Sequence, residues 1–163
     1  DPSPAAKAAA TGTPGDSTPE LLAEWLSLEQ ALADPLPQGN VDTQRARHSE
    51  LERALKQRKL FVDVNVVKTE DWLGADEVYV KLAAGDQRHQ TEVHKLNDGQ
   101  RYRFSAPLAA LWPLRQPISL EVYDEDWPDR DDLIVKLLWR PPFANVRNTS
   151  SMDEADYRVT AHV

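Results

Sequence analysis

Residues 60–67 read Leu-Phe-Val-Asp-Val-Asn-Val-Val, and their alternation is the strongest constraint in the chain. Val62, Val64 and Val66 fall on one face at a period of two, while Asp63 and Asn65 fall on the other. That is the signature of a strand with one buried and one wet face. Further strand candidates follow at 77–83, 89–96, 101–105, 117–123, 133–139 and 156–163. They are separated by Leu73-Gly74, Asn97-Asp98-Gly99, Trp112-Pro113, Pro128-Asp129 and Pro141-Pro142. Seven or eight short strands at such regular spacing, with no alternating helices, predict an antiparallel sandwich or barrel.

Upstream the period changes. Thr18-Pro19-Glu20 is a helix start, with Thr18 as the expected cap and Pro19 in the first turn. Leu21, Leu22, Trp25, Leu28 and Leu32 then recur at helical spacing until Pro35 and Pro37 end the run. A second helix is expected from after Asp42 to about Gln57, with a thin apolar face of Ala46, Leu51, Ala54 and Leu55. Two short helices with a Pro-rich turn predict a helical hairpin that must pack on something to be stable. Residues 1–17 are Pro-, Ala-, Gly-, Ser- and Thr-rich with almost nothing to bury, as in a linker or tail. The expected organisation is a tail over 1–17, a hairpin over 18–58 and a sandwich over 59–163, mainly β overall.

Composition narrows the function classes. Nineteen Lys and Arg against 27 Asp and Glu leave a formal charge of −8. An acidic balance argues against a general nucleic-acid binder, which needs a basic stripe for phosphates. The absence of cysteine excludes disulfides, thiolate zinc sites and a cysteine nucleophile. No apolar run reaches the ~18 residues that span a bilayer. The lack of an initiator Met predicts a piece of a longer or processed chain. Arg outnumbers Lys 12 to 7 and Ala is abundant, as in GC-rich bacterial genomes. None of the four histidines stands at a zinc-enzyme spacing. No Gly-rich phosphate loop or nucleophile elbow is present, so no catalytic residue is assigned and no enzymatic role is expected. Trp25, Trp112 and Trp139 read as core.

The acid is concentrated in two loops, Glu70-Asp71-Trp72-Leu73-Gly74-Ala75-Asp76-Glu77 and Asp124-Glu125-Asp126-Trp127-Pro128-Asp129-Arg130-Asp131-Asp132. Crowded like charges repel unless a cation neutralises them. Carboxylate oxygens are hard ligands, suited to Ca²⁺ more than to zinc or copper. The competing reading is solvated acidic turns, because Asp favours turns in any case.

These two loops carry a resemblance to the C2 domain. Asp71, Gly74 and the run Asp76-Glu77-Val78-Tyr79-Val80-Lys81-Leu82 are similar to that family's first loop and the strand after it. Val122-Tyr123-Asp124-Glu125-Asp126 and Asp132-Leu133-Ile134 are similar to its third loop. The resemblance spans about residues 60–163 and implies a calcium-binding β-sandwich holding one or two Ca²⁺. The implied ligands are Asp71, Glu77, Asp124, Asp126 and Asp132, with Asp76 in place of Glu77 as the variant, because Glu77 stands where the family has Asp. Val78 replaces the family's Pro, and Val135 replaces its Gly.

Trp72 with Leu73, and Trp127 with Pro128, stand at the expected loop tips. A Trp at a wet tip suits a membrane interface, and the resemblance implies docking on phospholipid. Packing on a partner protein or another domain of the parent chain is the other reading. The resemblance thus implies a calcium-dependent docking module of a larger protein, which composition alone makes bacterial, with secretion as one setting. The alternative is a metal-independent structural or protein-interaction domain. A further cluster of Lys81, Arg88, His89, His94, Lys95, Arg101 and Arg103 lies on or beside three consecutive strands. It reads either as an anion patch or as a solvated sandwich face.

Overall fold

A computed structural model describes residues 17–69, 74–126, 128–152 and 155–163, with 149–152 described as backbone alone. Its order is α1 (Thr18–Ala33), α2 (Val41–Lys56), β1 (Lys59–Lys68), β2 (Asp76–Ala84), β3 (Gln87–Gln90), β4 (His94–Leu96) and β5 (Arg101–Pro107). A 3-10 turn (Leu108–Leu111), β6 (Ile118–Asp124), β7 (Asp132–Trp139), β8 (Val146–Met152) and β9 (Ala155–His162) complete it. The alternation of 60–67 is realised: Leu60, Val62, Val64 and Val66 are all buried in β1. The first sheet runs β5-β1-β9-β8, and the second runs β3-β2-β6-β7 with β4 also on β2. All pairings are antiparallel. The inward rows of both sheets close one apolar core.

The expected strand over 89–96 is present in two pieces, β3 and β4, both on the same edge of β2. Counted as one interrupted strand they give the eight-stranded sandwich. The break is at Thr91, which is buried. Its N–H donates to the Val80 carbonyl at 2.9 Å, and its Oγ1 accepts from the Val80 N–H at 2.9 Å. A side chain thereby replaces one ladder hydrogen bond and keeps the buried backbone satisfied. Strand β8 has no apolar alternation, so sequence periodicity misses it. It is an edge strand recruited by β9.

Both helices form, with small shifts at the ends. Ser17, not Thr18, caps α1 by accepting from the Glu20 N–H at 3.4 Å. Thr18 Oγ1 instead accepts from Arg58 Nη1 at 3.0 Å, so the residue expected to cap serves the hairpin's attachment. Asn40 caps α2 through the Thr43 N–H at 3.1 Å. The hairpin is joined by Arg47 Nε to Glu24 at 2.7 Å and His48 Nε2 to Glu29 at 2.5 Å. Arg115, from the connection before β6, also pairs with Glu29.

The hairpin caps the end of the sandwich where β1 begins. Leu21, Leu22, Trp25, Leu51 and Leu55 belong to the same core as the strands. The Trp25 ring lies 4.7 Å from that of Trp112, over which Lys56 Nζ sits at 5.5 Å. Burial on the sandwich, and not helix propensity, therefore holds the hairpin, as short helices require. With one shared core, Leu55→Ala is expected to cost about 2–5 kcal/mol. Helix and strand signals in chemical denaturation should move together in one transition. A separate, earlier loss of helix would contradict the shared core.

Candidate functional site

The opposite end of the sandwich gathers the connections β1–β2, β4–β5 and β6–β7. Residues 70–73 and Trp127 lie outside the described residues. Asp71, Trp72, Leu73 and Trp127 are therefore not placed, although their loops are located by the flanking strands.

The described acids fall into two sets. Asp76 and Asp124 point inward at the ends of β2 and β6 and are 0% and 2% exposed. They continue the inward rows of Val78 and Val122, one step beyond the apolar core. Asp76 accepts a hydrogen bond from the Tyr157 hydroxyl on β9, which joins the two sheets. Asp124 Oδ1 accepts from the Glu77 N–H at 2.7 Å, and the Glu125 N–H donates to the Glu77 carbonyl at 2.8 Å. These bonds weld the β6–β7 loop to the first turn of β2. A buried carboxylate is tolerable only with such partners.

The second set is more exposed. Glu77 is half-buried and paired with Lys95 Nζ at 3.0 Å, on the face opposite to Asp76. Asp126 is half-buried and Asp132 exposed. Asp131 Oδ1 accepts from the Asp126 N–H at 3.4 Å, and its Oδ2 accepts from the Tyr79 hydroxyl. Tyr79 is 2% exposed and stacks on Tyr123 at 5.4 Å and 10°. Burial, and next the Asp131 hydrogen bond, push the Tyr79 phenol well above its ordinary value. The Glu121 hydrogen bond, and then burial, push Tyr123 up to about 12.

Asp124 and Asp132 stand directly opposite each other in the β6–β7 ladder. Like charges at such a position destabilise a sheet, so a cation there would be stabilising. The donor set is entirely hard oxygen, as Ca²⁺ prefers. Yet among the described residues no three His, Asp or Glu side chains are gathered closely enough to hold a metal ion. Asp76 and Glu77 each have protein partners, on opposite faces of β2. The six acids singled out by sequence thus divide. Asp124, Asp126 and Asp132 share the β6–β7 end, Asp76 and Glu77 serve β2, and Asp71 is outside the described residues.

Sequence reasoning missed Asp98 and Asp131. Asp98 Oδ1 accepts from the Thr69 N–H at 2.7 Å and ties the β4–β5 turn to the end of β1. Gly99, at φ +78°, supplies the left-handed turn residue beside it. Asn97-Asp98-Gly99 reads as a bare turn signal, and only the tertiary approach of Thr69 gives the Asp a role.

The strand arrangement is similar to that of solved C2 domains. One, described as a structure of a C2 domain, has 22% identity and a TM-score of 0.43, covering 64% of this chain and 98% of its own. A C2 domain of a plant extended synaptotagmin 1 has 13% identity and a TM-score of 0.39, covering 65% and 93%. The calcium-bound pair of C2 domains from extended synaptotagmin 2 gives 18% and 0.43, covering 66% and 45%. No family model matches the chain. No curated protein matches it either.

The Asp98 clamp yields a prediction. The Thr69 backbone, and then its hydroxyl, hold the Asp98 carboxyl below the usual carboxylate range. Its contribution is complete above the ordinary value of ~3.9 and is lost as pH falls through the lower folded value. Asp98→Ala should therefore speed hydrogen exchange at the Thr69 amide at neutral pH, with little change in β1 beyond Val66. Unchanged exchange at Thr69 would show that the clamp does not hold the loop.

Proposed function

We propose that the chain is a docking module of a larger protein, and that the end formed by the three connections is its docking surface. Ca²⁺ binding at the β6–β7 connection is the switch in this reading. The single observation that carries it is Asp124 facing Asp132 at the open end of the ladder, with Asp126 and Asp131 in the same connection. Asp126 and Asp132, with the oxygens of Asp124, are the ligands on that side. The sequence resemblance adds Asp71 and Glu77 from the β1–β2 side, where Glu77 would exchange Lys95 for the cation.

Bound Ca²⁺ supplies positive charge that offsets these acids and offers open coordination to an anionic group on the target. Before binding, the acidic end repels an anionic leaflet. The apolar tips Trp72, Leu73 and Trp127 would then seat in the headgroup region or on a partner domain. Action is by binding and not catalysis, because the carboxylates are crowded at one end and not set apart as an acid and a base. A millimolar extracellular setting suits a loop-built site of this kind.

A second reading is favoured by a specific observation. Asp76 with Tyr157, Glu77 with Lys95 and Asp131 with Tyr79 already have protein partners. An end stabilised in this way can dock on a protein without metal.

Thermal unfolding with millimolar CaCl₂ and with chelator separates the two. Calcium at a hundredfold excess over Kd stabilises by about 2.7 kcal/mol, which is several degrees in Tm. The shift should vanish in Asp126→Asn/Asp132→Asn, whose side chains are not in the core. Calcium-dependent sedimentation with anionic vesicles then distinguishes a lipid target from a protein one. No shift up to ~10 mM, above the weak end of extracellular modules, would leave the metal-independent reading.

A further inference from the structure

The outward face of the β5-β1-β9-β8 sheet carries a basic groove. The ladders set its rows. Asn65 of β1 pairs with Arg101 of β5 on one side and Arg158 of β9 on the other. In the next row Asp63 pairs with Arg103 and Thr160, and Thr160 pairs with Arg147 of β8. These rows line a groove of about 620 Å³ that includes Arg101, Arg147, Arg158, Asn65 and Thr160. That volume lies within the range of small-ligand sites.

The charges in the groove are unequally used. Asp63 is fully engaged: Arg103 Nε and Nη2 donate to its two oxygens at 2.7 and 3.2 Å, and His162 Nε2 lies 3.0 Å away. Burial pushes the Asp63 carboxyl up, but these bonds outweigh it and hold the group below the usual range. Phe61 completes the arrangement, with His162 stacked at 5.3 Å and the Arg103 guanidinium 5.3 Å above the ring. Asp63 therefore consumes Arg103 and leaves the other three arginines. Among the described residues Arg101, Arg147 and Arg158 make no ion pair, and all three are exposed. Among the described residues Asp156, two residues before Arg158 in β9, stands opposite Lys68 in the ladder. Three unpaired arginines on one face of a chain with a charge of −8 are a local reversal of sign.

Spacing selects the ligand. Strands lie about 4.8 Å apart, so Arg101 and Arg158, two strands apart, are separated by about 9.6 Å at the backbone. Arg147 is diagonal to Arg158 at about 7–8 Å. Across that spread a chain of two or three phosphates offers each guanidinium its own phosphate, whereas one orthophosphate would draw all three side chains inward to a single point. Guanidinium forks match phosphate oxygens in pairs. Asn65 and Thr160 add neutral donors at the floor. The groove is concave and of small-molecule size, and it lies on the flank of the sandwich and not at the proposed docking end.

We propose that this groove binds a small soluble polyphosphate group, a di- or triphosphate, through Arg101, Arg147 and Arg158. The site is independent of the calcium reading. It lies on the other sheet from Lys81 and Arg88.

Isothermal titration of the full chain with sodium tripolyphosphate, at low salt and with chelator present, tests it. Binding is expected, weakening steeply with salt. Arg101→Gln/Arg158→Gln should lose about tenfold or more in affinity, with an unchanged Tm because both side chains are exposed. Lys81→Gln should bind as the unaltered chain does. Absence of binding, equal binding by the double variant, or an equal loss in Lys81→Gln would each overturn the assignment. Vesicles of phosphatidylcholine with roughly one-fifth phosphatidylserine supply the last arm. Arginine-dependent vesicle binding that tripolyphosphate does not displace would assign the groove to lipid and also overturn the proposal.

Discussion

The Tyr157 hydroxyl reaches across the sandwich to the buried Asp76 carboxylate, and the arrangement of the loop end depends on that contact. Elsewhere the two sheets meet through Val, Leu, Ile and Phe side chains that need no particular partner. At the loop end the inward row of β2 finishes in a carboxylate, which cannot be buried without hydrogen bonds. Tyr157 stands on the inward row of β9 and supplies one. The first residue of β2 is thereby fixed relative to the β1-β9 sheet. Glu77 follows it: its N–H donates to Asp124 Oδ1 and its carbonyl accepts from the Glu125 N–H, and these two bonds position the β6–β7 loop.

This chain of contacts divides the acids by role. Asp76 and Asp124 complete the inner lining and are tied to the backbone or to Tyr157. Asp126 and Asp132 are carried on the outer part of the connection, where they meet solvent. Asp131 belongs with the outer acids and is bonded to the Tyr79 hydroxyl. Crowding acids at one end raises electrostatic free energy, and hydrogen bonds to the inner members offset it. The place of the outer members beside the buried set is where the proposed cation would be held. The helical hairpin fixes the opposite end of the sandwich by apolar burial, away from the acidic connections.

Much of this was legible in the sequence, where the physics is local. Period-two alternation located β1 and six more strand candidates. The Pro residues bounded α1, and the order of the two acidic loops pointed to one end of a C2-like sandwich. What escaped depends on neighbours that sequence does not reveal. Strand β8 is polar and exists because β9 offers a free edge. The break between β3 and β4 needs the Thr91 side chain to meet Val80. Ser17 caps in place of Thr18, whose hydroxyl accepts instead from Arg58, forty residues away. Asp98 and Asp131 looked like ordinary turn acids until Thr69 and Tyr79 were brought to them. Glu77 and Asp76 could not be ranked from spacing alone. The strand places Asp76 inside and Glu77 outside, opposite Lys95.

Amide chemical-shift mapping during a calcium titration of the isotopically labelled full chain tests this division of roles most directly. The account predicts progressive shifts at residues 124–132 and in the adjoining β1–β2 connection, with the Tyr157 amide and the strands around it unmoved. Shifts centred on Asp76 and Tyr157, or no shifts anywhere in the β6–β7 connection at millimolar calcium, would contradict it.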